Sequence, residues 1–315
     1  MTAVSLPITA AFSNEETARY RRRRLVSRVM LSLTGLVTLL ALIPLVWIVF
    51  YVLKTGLPAL SLEFFTQMPA ALGQKGGGVR NAIAGTFVVT LIAMVISIPI
   101  GILAAFYAAR NPNTPLGIAV RFGTDVLSGV PSIIVGLFGY ALLVKPMGTY
   151  SALAGGVAIS IIMLPTIIRT TEEMLKLVPG HLREAGLGLG APEWRTSLQV
   201  VLPAAVAGVV TGVILAIARG VGETAPLLFT ILGNDRYSVL GPIQANLSVE
   251  QTLERILLEP ADTLTLTMYK YSQQPFPERV QQAWGVALVL MAFVLGLNIL
   301  ARAIVGWRQK KMGKL

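Results

Sequence analysis

The chain has 315 residues, of which 54% are hydrophobic and only 13% are charged. Soluble domains carry roughly 25% charged residues, so this balance is typical of a membrane protein. The absence of cysteine excludes disulfides and thiolate sites, and the single histidine, His181, excludes a multi-histidine metal site. The net charge is +11, but the basic residues lie beside apolar runs, which favours a membrane partner and argues against nucleic acid.

Six apolar stretches are long enough to cross a ~30 Å hydrocarbon layer, which takes about 20 helical residues. The predicted spans are approximately 29–53, 82–108, 126–144, 152–168, 202–232 and 284–305. The first stretch is too long for a signal peptide and lacks a clear cleavage site, so we interpret it as an anchor helix. The sequence therefore predicts an all-α, polytopic membrane protein with six transmembrane helices.

Lysine and arginine are twice as frequent on the side of this arrangement that holds both termini. The positive-inside rule therefore places both termini in the cytoplasm. The predicted organisation is a basic cytoplasmic tail (1–28), a first helix (29–53), an external loop (54–81), a membrane core (82–306) and a cytoplasmic tail (307–315).

A polar interruption at 180–203 lies on the same cytoplasmic side of the core. Pro179 and Gly180 should end the preceding helix, a short helix should follow over 181–189, and Gly190 should end it. A rigid short helix held at both ends suits the transmission of a partner's movement, and Pro203 should bend the chain after it. The alternative is an interfacial amphipathic helix anchored by a tryptophan.

Two predicted external segments carry no catalytic motif. The glycine-rich stretch 73–78 lacks the GK[ST] ending and the preceding strand of a phosphate-binding P-loop, so the chain is not predicted to be an ATPase. The segment 233–283 contains several prolines and is interpreted as a partly ordered external insert, with helical spacing at 249–258.

Charged residues near the bilayer cost about 2.5–3.5 kcal/mol each on insertion scales, so they mark functional candidates. Arg169 and Glu172 follow the fourth apolar run, and Arg219 and Glu223 lie four residues apart within the fifth. An arginine can donate two hydrogen bonds to an oxyanion, and a nearby carboxylate would keep that binding weak. The alternative is purely structural ion pairs, Arg219 with Glu223 and Arg169 with Glu172 or its neighbour Glu173.

The fifth stretch is also expected to break as a helix. Gly220, Gly222 and Pro226 interrupt it, and the backbone groups that they free need protein or a water-lined path as partners. The sequence therefore predicts a broken helix that presents a charged pair to a transport path.

Four segments resemble the PstA family of phosphate permeases, which belongs to the MetI-like class of ABC importers. The segments are GVPSIIVGLFGY (129–140), LPTIIRTTEEMLKLVPGHLREAGLGLGAPEWRT (164–196), TGVILAIARGVGETAPLLFT (211–230) and LNILAR (297–302). The GETAPLL ending is the most specific, because it points to this subunit type and not to its relative PstC. The chain departs from the family in the long segment 250–279.

The resemblance implies the MetI-like type I importer permease fold and a position in the bacterial inner membrane. It implies a path for phosphate that involves Arg169, Glu172, Arg219 and Glu223. It also implies an EAA-type coupling loop to an ATPase, carried by Glu184, Ala185, Gly186, Gly190, Leu202 and Pro203. The implied partners are a PstC-like permease subunit in a heterodimer, two PstB-like ATPase subunits, a PstS-like phosphate-binding protein and membrane lipid. No cofactor and no catalytic activity of its own are expected.

Two alternatives stay open at the level of sequence. An arginine-lined path suits any tetrahedral anion, so a sulfate or molybdate permease fits the same residues. A transporter driven by an ion gradient should show inverted repeats with matching broken helices, whereas only the second half shows an interruption.

Overall fold

A computed structural model describes residues 14–74, 76–236, 238 and 248–312. Within these ranges the chain is helical, and its only strand-like pairing is an isolated bridge between Pro69 and Gly77. The chain divides into two units, Met1–Lys54 and Thr55–Leu315. Parts of both predicted tails (1–13 and 313–315) and of the predicted insert (237 and 239–247) lie outside the described residues.

The described part of the first unit is a single helix, α1, which runs over Asn14–Gly56 and ends just inside the second unit. Apart from the buried Val52 near its end, its large apolar side chains are mostly exposed, which is the pattern of a helix surrounded by lipid. The hydroxyls of Thr34 and Thr38 donate to carbonyl oxygens one turn earlier, so these polar groups are satisfied within the helix. Helix α1 contains the predicted first span.

The second unit contains the remaining helices of the described residues. They are α2 (Leu62–Thr66), α3 (Arg80–Arg110), α4 (Pro115–Gly129), α5 (Ser132–Gly139), α6 (Lys145–Met147), α7 (Ala152–Lys176), α8 (Gly180–Gly188), α9 (Glu193–Thr196), α10 (Leu202–Val221), α11 (Ala225–Thr230), α12 (Val249–Leu258), α13 (Leu264–Ser272) and α14 (Pro277–Met312). Two π-helical segments, Tyr140–Val144 and Ser197–Val201, connect α5 to α6 and α9 to α10.

Among the described residues, five helices are long and apolar enough to cross a membrane, and a bent pair formed by α4 with α5 and α6 is a sixth candidate. This confirms the predicted class, an all-α polytopic membrane protein. Helix α3 spans roughly 46 Å at 1.5 Å per residue, so its two ends lie far apart. The Arg110 end, which contacts α9, is called the α8 end below. The Arg80 end, which lies near α13, is called the α13 end.

Helix α7 forms the centre of the second unit, between α3 and α10. Small residues allow the backbones to approach closely: a Cβ on Gly101 would lie 2.7 Å from Ile167, and one on Gly212 would lie 2.1 Å from the Thr170 hydroxyl. Membrane helices associate through such small residues, because lipid supplies no hydrophobic drive for helix pairing. Tight packing therefore fixes the backbones of α7 and α10, from which the charged side chains extend.

The third predicted span, 126–144, is wrong as a single helix. Helices α4 and α5 meet at an angle of 103°, and Val130 at the junction is extended, with ψ of 126°. The cause is Pro131, because a proline disfavours the helical conformation of the residue before it. Beyond the bend, α5 packs on α11, where a Cβ on Gly136 would lie 2.6 Å from the Pro226 Cα.

The predicted external insert is only partly peripheral. Helix α12 coincides with the stretch of predicted helical spacing and begins with a capping box between Ser248 and Gln251, which confirms that helix. Helix α13, in contrast, buries Leu266 and Tyr271 completely and packs in a cluster with Phe64. The predicted external insert therefore includes a helix, α13, whose apolar side chains complete the core at this end.

Candidate functional site

The predicted break in the fifth apolar stretch is present. Helix α10 ends at Val221 and α11 begins at Ala225, so Gly222, Glu223 and Thr224 lie between two helices. The side chain of Arg219 is 50% exposed, and its Nε lies 3.9 Å from Glu223 Oε1. The guanidinium is thus only loosely held by the carboxylate and has hydrogen-bond donors to spare for another acceptor.

Arg219 lies deep along the helix bundle. Its neighbour Gly220 packs against Ile159 and Met163, which lie near the middle of α7. Arg169 lies about 9 Å further along α7 toward the α8 end than Met163, at 1.5 Å per residue. The two predicted path arginines therefore occupy different depths and do not form one pocket.

The third predicted path residue, Glu172, is engaged in a cluster between α4 and α7. Its Oε1 accepts from Arg121 Nε at 2.7 Å and lies 2.7 Å from Lys176 Nζ, and its side chain is 10% exposed. Arg121 also donates to the carbonyl oxygen of Ala108 at 2.8 Å, which ties in the end of α3. A carboxylate buried to this degree requires such partners, so Glu172 holds three helices together.

Arg169, in contrast, is 63% exposed and only weakly paired. It lies 3.5 Å from Asp125 and 3.8 Å from Glu173, so the predicted interfacial pair forms with Glu173 and not with Glu172. These side chains line a cavity of about 200 Å³ that opens beside α4 and α7. The complete lining is Arg121, Thr124, Asp125, Arg169, Glu172, Glu173 and Lys176. Three cations and three carboxylates balance there, which suits brief contact with an anion better than tight binding.

The predicted coupling residues lie on and around α8. Gly180–Gly188 is helical, Glu184 and Ala185 are exposed on it, and Gly190 ends the turn with a φ of +79°. Gly186 is buried where α8 packs closely on α9, since a Cβ there would lie 2.7 Å from Thr196. The loop therefore presents one exposed face and fastens the other to α9.

Leu202 and Pro203, the remaining predicted coupling residues, begin α10. The π-helical segment Ser197–Val201 leads into α10 without a gap, so the helix continues from Glu193 to Val221 through Pro203. A single wider turn precedes the proline, whose missing N–H and bulky ring a regular helix accommodates poorly. The expected bend is therefore not a break in the helix. Trp194 on α9 is 65% exposed, as the interfacial alternative also expected.

Glu193 connects α8 to the core, a role that no local sequence signal predicts. Its carboxylate forms ion pairs with Arg183 of α8, at 3.0 Å, and with Arg110 at the end of α3. Arg110 also donates to Ser197 Oγ at 2.8 Å. One carboxylate therefore links the exposed short helix to a membrane-length helix, which gives α8 a rigid attachment.

Comparison with known proteins identifies the family. Residues 97–314 match the model of the binding-protein-dependent transport system inner membrane component. The chain is also 39% identical over 305 residues to the phosphate transport system permease protein PstA of Yersinia pestis, covering 96% of this chain and 98% of that protein. The chain belongs to the PstA family of inner-membrane permeases.

Solved structures agree at the level of the fold. An inward-facing structure of the MetNI methionine ABC transporter matches with a TM-score of 0.53 and 22% identity, covering 72% of this chain and 93% of that one. A bacterial ABC transporter involved in the import of the acidic polysaccharide alginate matches with a TM-score of 0.56 and 16% identity, covering 90% and 99%. This PstA family member therefore has the MetI-like permease fold that its motifs predicted.

Within the PstA framework, sequence reasoning missed the α4 side of the charged cavity. It treated the residues before 126 as a loop, although Thr114 followed by Pro115 is a helix-start signal and the Thr114 hydroxyl does cap α4. Arg121 and Asp125 lie one turn apart on that helix. The cap and this spacing predict a helix that carries both charges on one face, although they do not predict that this face meets α7.

Proposed function

We propose that this chain is the permease subunit of an ATP-driven importer of inorganic phosphate and supplies half of the translocation path. The observation that carries the proposal is a half-exposed guanidinium, Arg219, in the last turn of a membrane-length helix, just before a helix break. It occurs in a chain that aligns over 96% of its length with a relative named as a phosphate permease. A charged side chain in a membrane-spanning segment costs free energy to insert, so its presence indicates a function.

The path works through weak contacts. Arg219 donates to phosphate oxygens, and Glu223 at 3.9 Å competes for the same guanidinium and prevents tight binding. Arg169, nearer the α8 end, provides a second contact in the neutral cavity beside α4. Glu172 acts on the path indirectly, because it holds Arg121 and Lys176 at the edge of that cavity.

The proposed partners follow from the two ends of the unit. A PstC-like subunit completes the path, two PstB-like ATPases bind on the α8 side, and a PstS-like phosphate-binding protein delivers substrate at the α13 end. The exposed residues Glu184, Ala185 and Leu189 support an ATPase contact at α8, since Leu189 is 88% exposed. The excess of lysine and arginine on that side supports a cytoplasmic α8 end and cytoplasmic termini in the inner membrane.

Uptake by cells in which this subunit is deleted and then restored tests the substrate. Restoration should recover uptake of radiolabelled phosphate and leave sulfate and molybdate uptake unchanged. Recovery of sulfate or molybdate uptake alone would assign the path to another oxyanion. Phosphate transport by the purified chain in liposomes without any ATPase would instead establish a gradient-driven transporter.

A further inference from the structure

The backbone at the α10–α11 break is held from outside the broken helix. Because α10 stops at Val221, carbonyl groups at the break lose their helical partners. The hydroxyl of Thr265 donates to the carbonyl oxygen of Glu223 at 3.0 Å, and Thr265 is 1% exposed. A buried side chain of α13 therefore fixes the backbone from which the Glu223 carboxylate extends.

The start of α13 is itself anchored on α3. The backbone N–H of Leu264 donates to the Thr86 hydroxyl at 2.9 Å. A Cβ on Gly85 would lie 1.9 Å from the Asp262 carbonyl oxygen, so only glycine permits this approach. Thr265 thus extends from the start of α13, which cannot shift without moving against α3.

A buried network fastens the other end of α13. Lys270 Nζ lies 2.7 Å from Asp262 Oδ2 and 2.5 Å from Asp235 Oδ1, and the Asp262 side chain is fully buried. Asn81 of α3 donates to Asp262 at 3.4 Å and to the Asn234 carbonyl oxygen at 2.9 Å. Because Asp235 lies on the segment that follows α11, Lys270 connects α13 to the chain on the far side of the break.

These contacts form a continuous connection from the α13 end to the proposed path. It runs from Asp235 through Lys270 and α13 to Thr265, then through Glu223 to Arg219. The last separation, 3.9 Å between Arg219 Nε and Glu223 Oε1, is at the outer limit of an ion pair. A small displacement of the Glu223 backbone is therefore enough to make or release that pair.

We propose that Thr265 and Lys270 are positioning residues for the Arg219–Glu223 pair, so that movement of α13 changes how available the Arg219 guanidinium is to an anion. This inference rests on the proposed function, because Arg219 is taken there as the anion contact. It adds that Thr265, 42 residues away from Glu223 in sequence, and the buried ion network around Lys270 control the pair.

The first test measures ATP-dependent phosphate uptake per assembled complex in proteoliposomes. Thr265→Val removes the hydroxyl at nearly constant volume, and we expect uptake to fall about three- to tenfold, the effect of losing one hydrogen bond. Thr265→Ser should retain most uptake. Thr211→Val is the matched control, because its hydroxyl donates to the Ala207 carbonyl oxygen within its own helix, α10. Wild-type uptake by Thr265→Val would overturn the proposal.

A double-mutant cycle separates positioning from general destabilisation. In a Glu223→Gln background the pair is already lost, so Thr265→Val and Lys270→Met should each cause little further loss of uptake. Fully additive losses would show that neither residue acts through Glu223.

Hydrogen exchange of the peptide covering 222–224 provides a readout that does not depend on the substrate. Thr265→Val and Lys270→Met should both accelerate exchange there, whereas Thr211→Val should not. Unchanged exchange overturns the positioning role whatever the complex transports. Failure of the wild-type complex to transport phosphate, with accelerated exchange in the variants, would refute only the proposed function.

Discussion

At the residue scale, the proposed contact between Arg219 and phosphate depends on the shape of the arginine side chain as well as on its charge. A guanidinium is planar and presents paired donors to two oxygens of a tetrahedral anion, whereas an ammonium is a compact point charge. The half-exposed Arg219 side chain leaves donors available, and Glu223 is too distant to occupy all of them.

Arg219→Lys should therefore reduce phosphate uptake by about tenfold or more, although the charge is kept. The measurement is the initial rate of phosphate uptake by cells that carry the variant complex. Arg80→Lys is the matched control, because Arg80 is an exposed arginine at the start of α3. Full activity of Arg219→Lys would mean that charge alone is sufficient.

We expect the stability of the folded protein to depend on pH through Asp262, which lies at the α13 end. Burial raises the pKa of its carboxyl to about 6, and attraction to Lys270 only partly offsets this. For Asp235, burial alone would raise the pKa, but the hydrogen bond and charge of Lys270 bring it below its usual value, with Arg279 assisting. The folded protein therefore binds the Asp262 proton more tightly than the unfolded chain does.

Tighter binding of this proton stabilises the folded state below about pH 4, and that stabilisation is lost as the pH rises through about 6. Relative to Asp262→Asn, the wild type should lose up to about 3 kcal/mol of stability over this interval. The measurement is the difference in Tm between the two detergent-solubilised proteins from pH 4 to 8. Parallel pH profiles of the wild type and the variant would contradict the titration of Asp262.

At the scale of elements, α8 can transmit a partner's movement only if it is firmly attached to the neighbouring helices. Glu193 provides that attachment through Arg183 and Arg110, while Gly186 seats α8 on α9. Movement applied to the exposed face of α8 is thereby passed to α3 and, through the continuous helix from Glu193, to α10.

Glu193→Gln should weaken both ion pairs and leave the helices folded. We expect the assembled complex to hydrolyse ATP but to transport several-fold less phosphate per ATP, because the push on α8 is no longer passed on in full. The measurement is the ratio of uptake to hydrolysis. Glu250→Gln, an exposed glutamate on α12, is the control. An unchanged ratio for Glu193→Gln would remove Glu193 from the coupling route.

Sequence predicted the elements whose signals are local. Hydropathy located the long apolar helices, and glycine with proline predicted the break at 222–224 and the short helix α8. It failed where the outcome depends on tertiary contacts: the 103° bend after Gly129, and the burial of α13 under Phe64. The partners of Glu172 were also hidden, because Arg121 is 51 residues away in sequence and pairs with it only after α4 folds back on α7.

At the scale of the whole molecule, the proposed import function requires α8 on the cytoplasmic, ATP-containing side of the membrane. The chain has no cysteine, so single cysteines report topology without background. Leu189→Cys should react with a membrane-impermeant thiol reagent only after the cytoplasmic face is opened. Gln273→Cys, exposed at the α13 end, should react from outside intact cells. Labelling of position 189 from outside would reverse the orientation.

The most direct measurement is phosphate uptake by proteoliposomes that contain the purified importer with this chain, supplied with ATP and the phosphate-binding protein. The wild-type complex should accumulate radiolabelled phosphate only when ATP is hydrolysed. With Arg219→Ala, the same assembled complex should accumulate at least about tenfold less. Wild-type uptake by the Arg219→Ala complex would contradict a phosphate path that passes the broken helix.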